Sequence, residues 1–261
     1  MIRQMELVNT LAAEGLDAFT FEDARAVLGV SAPATANALH RLTENGLVDR
    51  LSRGRYAIRP LGSLGTSAAT DDLSLAIGAA FEGREHRIAY LSALSELGLL
   101  THPVRKVYVA CTRQVRIQAV SRRRLRVVVE RAETIHLGAE PTRRSWRSDL
   151  ERALLECALR VDLAGGSGRL AEATTNSGTD ADPTRLMQLS SAFGARGQAA
   201  VRRLASLAHV LELPLPLEPQ VGSRQPVIRL DPGDDHVEWT DPRFRVVWNV
   251  TADELRAVAG Q

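Results

Sequence analysis

Two short helical patterns joined by one tight turn constrain the N-terminal part of the chain most strongly. The spacing of apolar residues predicts a first helix over residues 21–28, capped by Thr20 and ended by Gly29. A second helix is predicted from Ser31, its N-cap, to Gly46, which ends it. The apolar faces of the two helices consist of Phe21, Ala24, Leu28, Ala38, Leu39 and Leu42. Two helices separated by so short a turn predict a helix-turn-helix.

A hairpin pattern follows the second helix directly. Strands are predicted over Leu47–Leu51 and Tyr56–Ile58, and the residues between them are Ser-Arg-Gly-Arg. Gly54 permits the tight turn, and Arg53 and Arg55 are expected to project from its tip. The N-terminal segment as a whole therefore predicts a winged helix-turn-helix domain.

Double-stranded DNA is the partner that this domain predicts. The major groove accepts one α-helix, which enters with its N-terminal residues toward the bases. Residues expected to face the groove or to lie within reach of it are Ser31, Ala34, Thr35, Asn37, His40 and Arg41. Wing residues expected to contact phosphates are Arg50, Arg53 and Arg55. The recognition helix is rich in alanine, so Asn37 is the best candidate for reading adenine.

Charge distribution, rather than total charge, supports this hypothesis. Residues 1–60 carry seven arginines and seven acidic residues, but the last five arginines fall in the recognition helix and the wing and at the end of the hairpin. Winged helices also serve as protein-docking modules, and a basic wing can be a solvated loop, so these alternatives stay open.

A second basic segment lies between Arg105 and Arg131, with nine cationic residues and one acidic residue, Glu130. Its most concentrated part is the run Arg122, Arg123 and Arg124, which we predict in a hairpin turn. Three adjacent guanidinium groups repel one another unless a polyanion is near, so this turn is a second candidate for DNA contact. A solvated basic turn is the alternative, and it stays open.

The remaining chain predicts an α+β fold in which the winged helix, residues 1–60, is followed by a linker, residues 61–72, and a larger mixed α/β domain, residues 73–261. The linker is placed where Gly, Ser and Thr interrupt the periodicity. Helices are predicted over 73–81, 88–100, 148–161, 169–173, 183–193 and 198–213, with strands over 106–112, 116–120, 125–130, 134–137, 227–230 and 237–240. The first residues of the helix at 148 read as a capping box, Ser148-Asp-Leu-Glu151.

Motifs for catalysis, cofactors and metals are weak. The glycine-rich run at 164–168 follows a predicted helix and no lysine follows it, so it predicts a helix-breaking turn and not a phosphate loop. The acidic run at 231–241 predicts a surface turn, and Cys111 and Cys157 predict small core residues. We therefore expect no catalytic residue, cofactor or metal, and a cytoplasmic protein without a membrane span.

Several segments behind the winged helix occur in an order that resembles the AbiEi family of antitoxins and transcriptional regulators. They are Ala89–Leu99, Val107–Ala110 with Arg113, Ser148–Cys157, Ala164–Gly166 and Arg202–Leu204. The resemblance implies an autorepressor of a two-gene toxin–antitoxin operon, whose winged helix binds inverted repeats in the promoter. It also implies that the second domain acts in antitoxicity and adds DNA contacts, and that the toxin is a nucleotidyltransferase-like enzyme opposed without a tight complex.

Two other hypotheses from different classes remain. The second domain could be a ligand sensor or an enzyme that modifies a partner, or the chain could be a structural docking module. The neighbouring gene distinguishes them, since a nucleotidyltransferase gene favours the antitoxin and a metabolic operon favours the sensor.

Overall fold

The computed structural model describes residues 2–14, 16, 18–59, 73–117, 119–120 and 123–259. The fold is α+β, with a winged helix-turn-helix followed by a larger mixed region, as the sequence predicts. The first part, here called the winged helix, comprises α1 (Ile2–Ala13), β1 (Ala18–Thr20), α2 (Phe21–Leu28), α3 (Ala32–Glu44), β2 (Val48–Ser52) and β3 (Arg55–Ile58). The predicted linker and domain boundary lie within residues 60–72, outside the described residues, and the division into domains stays a prediction.

A three-stranded antiparallel sheet and three helices enclose the core of the winged helix. The strand order is β1-β3-β2, and Phe19 stacks on Tyr56 across the β1–β3 pair at a ring distance of 5.7 Å. Leu11 and Leu42 are fully buried between the helices. This core holds α3 against the sheet and leaves the opposite face of α3 exposed.

A six-stranded mixed sheet organises the second region, residues 73–259. In chain order its strands are β4 (His86–Ile88), β5 (Lys106–Cys111), β6 (Ala119–Val120), β7 (Arg123–Val129), β8 (Ala139–Pro141) and β9 (Trp146–Ser148). They are arranged β6-β7-β5-β4-β9-β8, with β5 parallel to β7 and β4 parallel to β9.

Helices cover both faces of this sheet. They are α4 (Leu73–Ala80), α5 (Tyr90–Glu96), α6 (Ala132–Ile135) and α7 (Leu150–Leu159). Side chains alternate along β5, so Val107 and Val109 pack with α4, whereas Tyr108 and Ala110 pack with α5 and α7.

A helical layer and a small sheet complete the second region. They comprise a short 3-10 turn (Val161–Leu163), α8 (Ser167–Asn176), α9 (Pro183–Ser191), α10 (Gly194–Val210), β10 (Ile228–Arg229), β11 (Trp239–Asp241), β12 (Val246–Trp248) and α11 (Ala252–Ala259). The small sheet has the order β10-β12-β11, and Trp248 on its central strand is fully buried.

The winged helix packs directly on the second region. Leu51 and Ala57 from the wing join one apolar cluster with Ile77 of α4 and Val120 of β6. The Arg144 guanidinium also donates a hydrogen bond to the carbonyl of Ala18, at 3.3 Å. The hairpin β6–β7 therefore lies beside the wing.

Several sequence-based predictions in the second region are wrong. Residues 134–137, predicted as a strand, form the end of α6 and a turn, and the helix predicted over 88–100 is divided into β4 and the shorter α5. Asp149, not Ser148, caps α7, because its carboxylate accepts from the backbone N–H of Arg152. The hydroxyl of Ser148 is instead held by buried charged groups.

Candidate nucleic-acid interface

Local signals define both helices of the helix-turn-helix. Thr20 and Asp23 form a reciprocal capping box at the start of α2, and Gly29 ends this helix with φ +62°. Ser31 occupies the N-cap position of α3, although its side chain makes no capping hydrogen bond. Both helices therefore lie where the sequence predicts them.

The outer face of α3 carries most of the predicted base-contacting residues. Ser31, Ala34, Asn37, His40 and Arg41 are all exposed. His40 lies with its Nε2 3.4 Å from the Glu44 carboxylate, and both side chains are more than half exposed. The face is uncharged at its N-terminal end and becomes charged only toward its C-terminal end.

Thr35 does not belong to this face, so the prediction that it faces the groove is wrong. Its exposed fraction is 0%, and its hydroxyl donates to the carbonyl of Ser31 at 3.1 Å. Positions four apart lie on one side of a helix, so Thr35 shares the inner side with the buried Leu39. It supports the start of α3 from within.

The wing presents fewer free arginines than the sequence predicts. Gly54 makes the turn with φ +74°, and Arg50 and Arg53 are exposed. Arg55 does not project freely from the tip, because its guanidinium lies 2.6 Å from the carboxylate of Glu82, in the second region. Its side chain is 28% exposed. A phosphate would have to compete with Glu82 for Arg55.

The basic hairpin differs in detail from the predicted turn. Arg122 lies outside the described residues, whereas Arg123 and Arg124 begin β7 instead of occupying the turn. Consecutive strand residues point to opposite faces, so Arg123 and Arg124 cannot act on one surface. Arg123 pairs in register with the buried Val120, and Arg124 with the exposed Ala119.

Arg124 lies in an open basic groove of about 880 Å³ between β5, β7 and the segment before β6. The lining contains no acidic residue among those described, and its cationic members are Lys106, Arg116, Arg124 and Arg126. All four are exposed, and within the described chain none of them forms an ion pair. We call this surface the basic groove. It lies next to the wing because β6 packs against β2.

The weaker motifs have structural explanations. Gly165 and Gly166 adopt positive φ between the 3-10 turn and α8, which fits the predicted helix-breaking turn. In the acidic run, carboxylates of Asp231 and Asp234 accept backbone hydrogen bonds within the turn. Among the residues described, no group of three His, Cys, Asp or Glu side chains is placed to hold a metal ion.

A buried cluster of charged side chains in the second region is not predicted by the sequence. Arg87 donates to the carboxylates of Glu130, at 3.0 Å, and Glu156, at 2.6 Å. Arg152 donates to the same two residues, and Ser148 donates to Glu156 at 2.7 Å. Burial alone would raise the pKa of Glu156, but the adjacent Arg87 and Arg152 guanidiniums hold this pKa below its ordinary value. Only the i, i+4 pair on α7 is visible as a local pattern.

The N-terminal part of the chain is similar to a known family. Residues 6–59 match the family model for the transcriptional regulator, AbiEi antitoxin. The AbiEi match covers the recognition helix and the wing, and it confirms the resemblance there. No curated protein matches the chain.

A solved structure extends the similarity of fold to the whole chain. The crystal structure of the RV2827C protein from Mycobacterium tuberculosis aligns with a TM-score of 0.69 over 100% of this chain and 96% of that one. The two sequences are 20% identical, so this likeness concerns the fold alone. Within the described residues, no helix has both the length and the apolar composition required to cross a membrane.

Proposed function

We propose that this protein is a DNA-binding transcriptional repressor of its own operon and the antitoxin of an AbiE-type, or type IV, toxin–antitoxin system. The observation that carries the proposal is the exposed outer face of α3 beside a basic wing, in the same segment that the AbiEi family model matches. The toxin is a nucleotidyltransferase-like enzyme that the antitoxin opposes without forming a tight complex. The proposal assigns no reaction to the chain itself.

Three parts of the surface have separate tasks in this proposal. The outer face of α3, with Asn37 and Arg41, enters the major groove of an inverted repeat in the promoter. Arg50 and Arg53 of the wing contact phosphates and fix the register of the helix. The basic groove of the second region contacts flanking phosphates, because it adjoins the wing and its four cations form no ion pair among the described residues.

The first experiment tests promoter binding with the full chain. Electrophoretic mobility shifts on its own promoter, and on a version with the inverted repeats scrambled, should show preference for the native sequence. A promoter–reporter fusion should be repressed by the wild type and released by Asn37→Ala with Arg41→Ala. Arg25→Ala serves as the control, because Arg25 is exposed on α2 and paired with Glu22. Equal binding to both promoters would contradict the proposed function as a sequence-specific repressor.

The second experiment tests the basic groove. Arg124→Glu should weaken promoter affinity and shorten the protected footprint, with a decrease of about 1 in the salt-dependence slope for the lost contact. Arg224→Glu is the matched control, since Arg224 is also an exposed arginine that has no ion-pair partner among the described residues but lies outside the groove. Identical footprints for Arg124→Glu and wild type, at two salt concentrations, would assign the groove to something other than DNA.

The third experiment tests the antitoxin. Co-expression with the toxin encoded next to this gene should restore growth, and size-exclusion chromatography of the mixed proteins should show two separate peaks. Growth arrest in the presence of the folded chain would contradict the antitoxin function, and a stable co-eluting complex would contradict neutralisation without tight binding.

A further inference from the structure

A cavity of about 540 Å³ in the second region lies far along the chain from the winged helix and outside the basic groove. Elements that line it are β7, α6, α7 and the N-terminal end of α10, together with Tyr90 at the start of α5. Its volume falls within the range typical of small-molecule sites, about 300–1,000 Å³.

Two hydrogen-bond donors in the cavity wall have no partner among the described residues, and one of them is buried. Arg152 is 1% exposed, and its Nε and Nη2 donate to Glu156 and Glu130, but its Nη1 has no hydrogen-bond partner among the described residues. The hydroxyl of Tyr90 makes no hydrogen bond in the described part of the chain either, but this atom is accessible from the cavity and is not a buried unpartnered donor. A buried donor without an acceptor costs stability, so an acceptor supplied by a ligand would be favoured.

The N-terminus of α10 opens into the same cavity. This helix has 17 residues, and no side chain caps its N-terminal end at Phe193. Phe193, Gly194 and Arg196 all line the cavity. Free backbone N–H groups and the positive end of the helix dipole favour an anion at this position.

The charge balance at the cavity is also positive. Glu130 and Glu156 are the two acidic residues of the lining, and both are occupied by Arg87 and Arg152. Arg160 is paired with Asp162 outside the lining, at 2.8 Å. The exposed Arg131 and Arg196 have no ion-pair partner among the described residues and leave an excess of two positive charges at the mouth.

Backbone strain occurs at the same place. Tyr90 has φ +52°, an uncommon value for a residue with a Cβ, and its N–H donates to the Glu156 carboxylate at 2.5 Å. Strained residues of this kind persist where the surrounding structure holds them, often at ligand sites. The Tyr90 side chain lines the cavity together with the apolar side chains of Val128 and Leu159.

From these observations we infer that the cavity is a binding site for a phosphorylated small molecule. The phosphate lies between the N-terminus of α10, Arg196 and Arg131, and the unpartnered Nη1 of Arg152 and the Tyr90 hydroxyl donate to its oxygens. Val128, Leu159 and the ring of Phe193 provide an apolar wall for the remainder of the ligand. The inference is independent of the DNA-binding proposal, because no residue of this cavity belongs to the winged helix or the basic groove.

Calorimetric titration of the full chain tests the site at constant ionic strength. The probes are inorganic phosphate, pyrophosphate and adenosine 5′-monophosphate, with chloride as the reference anion. We expect saturable binding of at least one phosphate probe at one site per chain. Loss of one charged donor should weaken this binding about tenfold in Arg196→Ala or Arg131→Ala. Circular dichroism confirms that each variant is folded.

The matched control is Arg224→Ala, which removes an exposed arginine outside the cavity and should change affinity less than twofold. Tighter binding of the nucleotide than of pyrophosphate would identify a ring-bearing ligand. Equal affinity for both would identify a site for an inorganic oxyanion and would contradict a phosphorylated small molecule as the ligand. The inference is overturned if no phosphate probe saturates, or if Arg224→Ala weakens binding as much as Arg196→Ala does.

Discussion

Arginine side chains on the outer surface of the winged helix and in the interior of the second region have opposite roles. In the winged helix, Arg41, Arg50 and Arg53 are exposed on the surface, where a phosphate can reach them. In the second region, Arg87 and Arg152 are almost fully buried. The chain contains a single lysine, so residue type does not separate the two uses. What separates them is whether internal acceptors already occupy the guanidinium.

Two further buried arginines extend this contrast. Arg202 donates to the carbonyls of Phe244, Pro226 and Arg245, and Arg203 donates to those of Arg229 and Ala158. Burial, together with the positive charge of the neighbouring Arg202, lowers the pKa of Arg203 to about 10. These two side chains join α10 to the small C-terminal sheet by hydrogen bonds. Their role is therefore structural, and they are not sites for phosphate.

The largest expected effect comes from breaking the buried cluster. Glu156→Gln leaves Arg87 and Arg152 with one carboxylate between them, and removal of one partner from such a cluster costs roughly 3–5 kcal/mol of unfolding free energy. Urea unfolding of the full chain measures this loss. The control is Glu22→Gln, which disrupts an exposed pair with Arg25 and should cost less than about 1 kcal/mol. Equal losses would remove the contrast between buried and surface arginines.

The pH dependence of the unfolding free energy tests whether Glu156 is ionised in the buried cluster. Because the pKa of Glu156 is lowered in the folded state, its ionised form stabilises the fold above the unfolded pKa, about 4.3. This contribution is lost as the pH falls through the folded pKa. The stability difference between wild type and Glu156→Gln should therefore shrink on acidification, and a difference that grows at low pH would contradict the ionised state.

A smaller effect is expected on sequence reading by the winged helix. Asn37→Ala should cost roughly 1–3 kcal/mol of binding free energy on the native promoter and almost nothing on unrelated DNA, because a base contact is lost and not a phosphate contact. Fluorescence anisotropy with both DNAs measures the difference. An equal loss of affinity for the two DNAs would indicate that Asn37 contacts the DNA backbone and not a base.

The wing provides a test with one free and one paired arginine. Arg53→Ala should lower the salt-dependence slope of promoter binding by about 0.9, the value for one neutralised phosphate. Arg55→Ala should lower it by less, because Arg55 is already paired with Glu82. Glu82→Gln should then raise the slope by releasing Arg55. If Arg53→Ala and Arg55→Ala behave alike, the ion pair with Glu82 does not persist when DNA binds.

The smallest expected effect concerns Thr35, the predicted contact that proved to be buried. Thr35→Val keeps the shape but removes the hydrogen bond to Ser31, so the unfolding free energy should fall by about 1 kcal/mol. The ratio of native to unrelated DNA affinity should stay constant. A change in that ratio would indicate that Thr35 takes part in base recognition.

Local signals explain what the sequence could predict. A capping box, a glycine at a helix end and apolar spacing act over a few residues, so α2, α3 and the wing could be placed. The same spacing rule, applied strictly, excludes Thr35 from the outer face, since it lies four residues before the buried Leu39. In contrast, the fate of Arg55 depends on Glu82, 27 residues away, and no local pattern reports that contact.

The second region is less predictable from the sequence because its main polar contacts join residues that are far apart along the chain. Arg87 contacts Glu130 and Glu156, which are 43 and 69 residues further along the chain. Ser148 fits the pattern of a helix cap, but tertiary contacts take its hydroxyl and leave the cap to Asp149. Strands of three residues such as β8 and β9 are too short to show alternation, so only the assembled sheet reveals them.

The packing of the wing on the second region has a consequence for the DNA that both would hold. Leu51, Ala57 and the Arg144 hydrogen bond join the two regions, so the distance and angle between α3 and the basic groove are set by the protein. The operator must then present its flanking phosphates at a matching helical phase. One base pair inserted between the repeat and its flank turns those phosphates by about 34°, because B-form DNA has about 10.5 base pairs per turn. An insertion of half a helical turn should abolish the contact between the basic groove and the DNA. An insertion of a full turn should not restore this contact, because the flank is then about 35 Å further away.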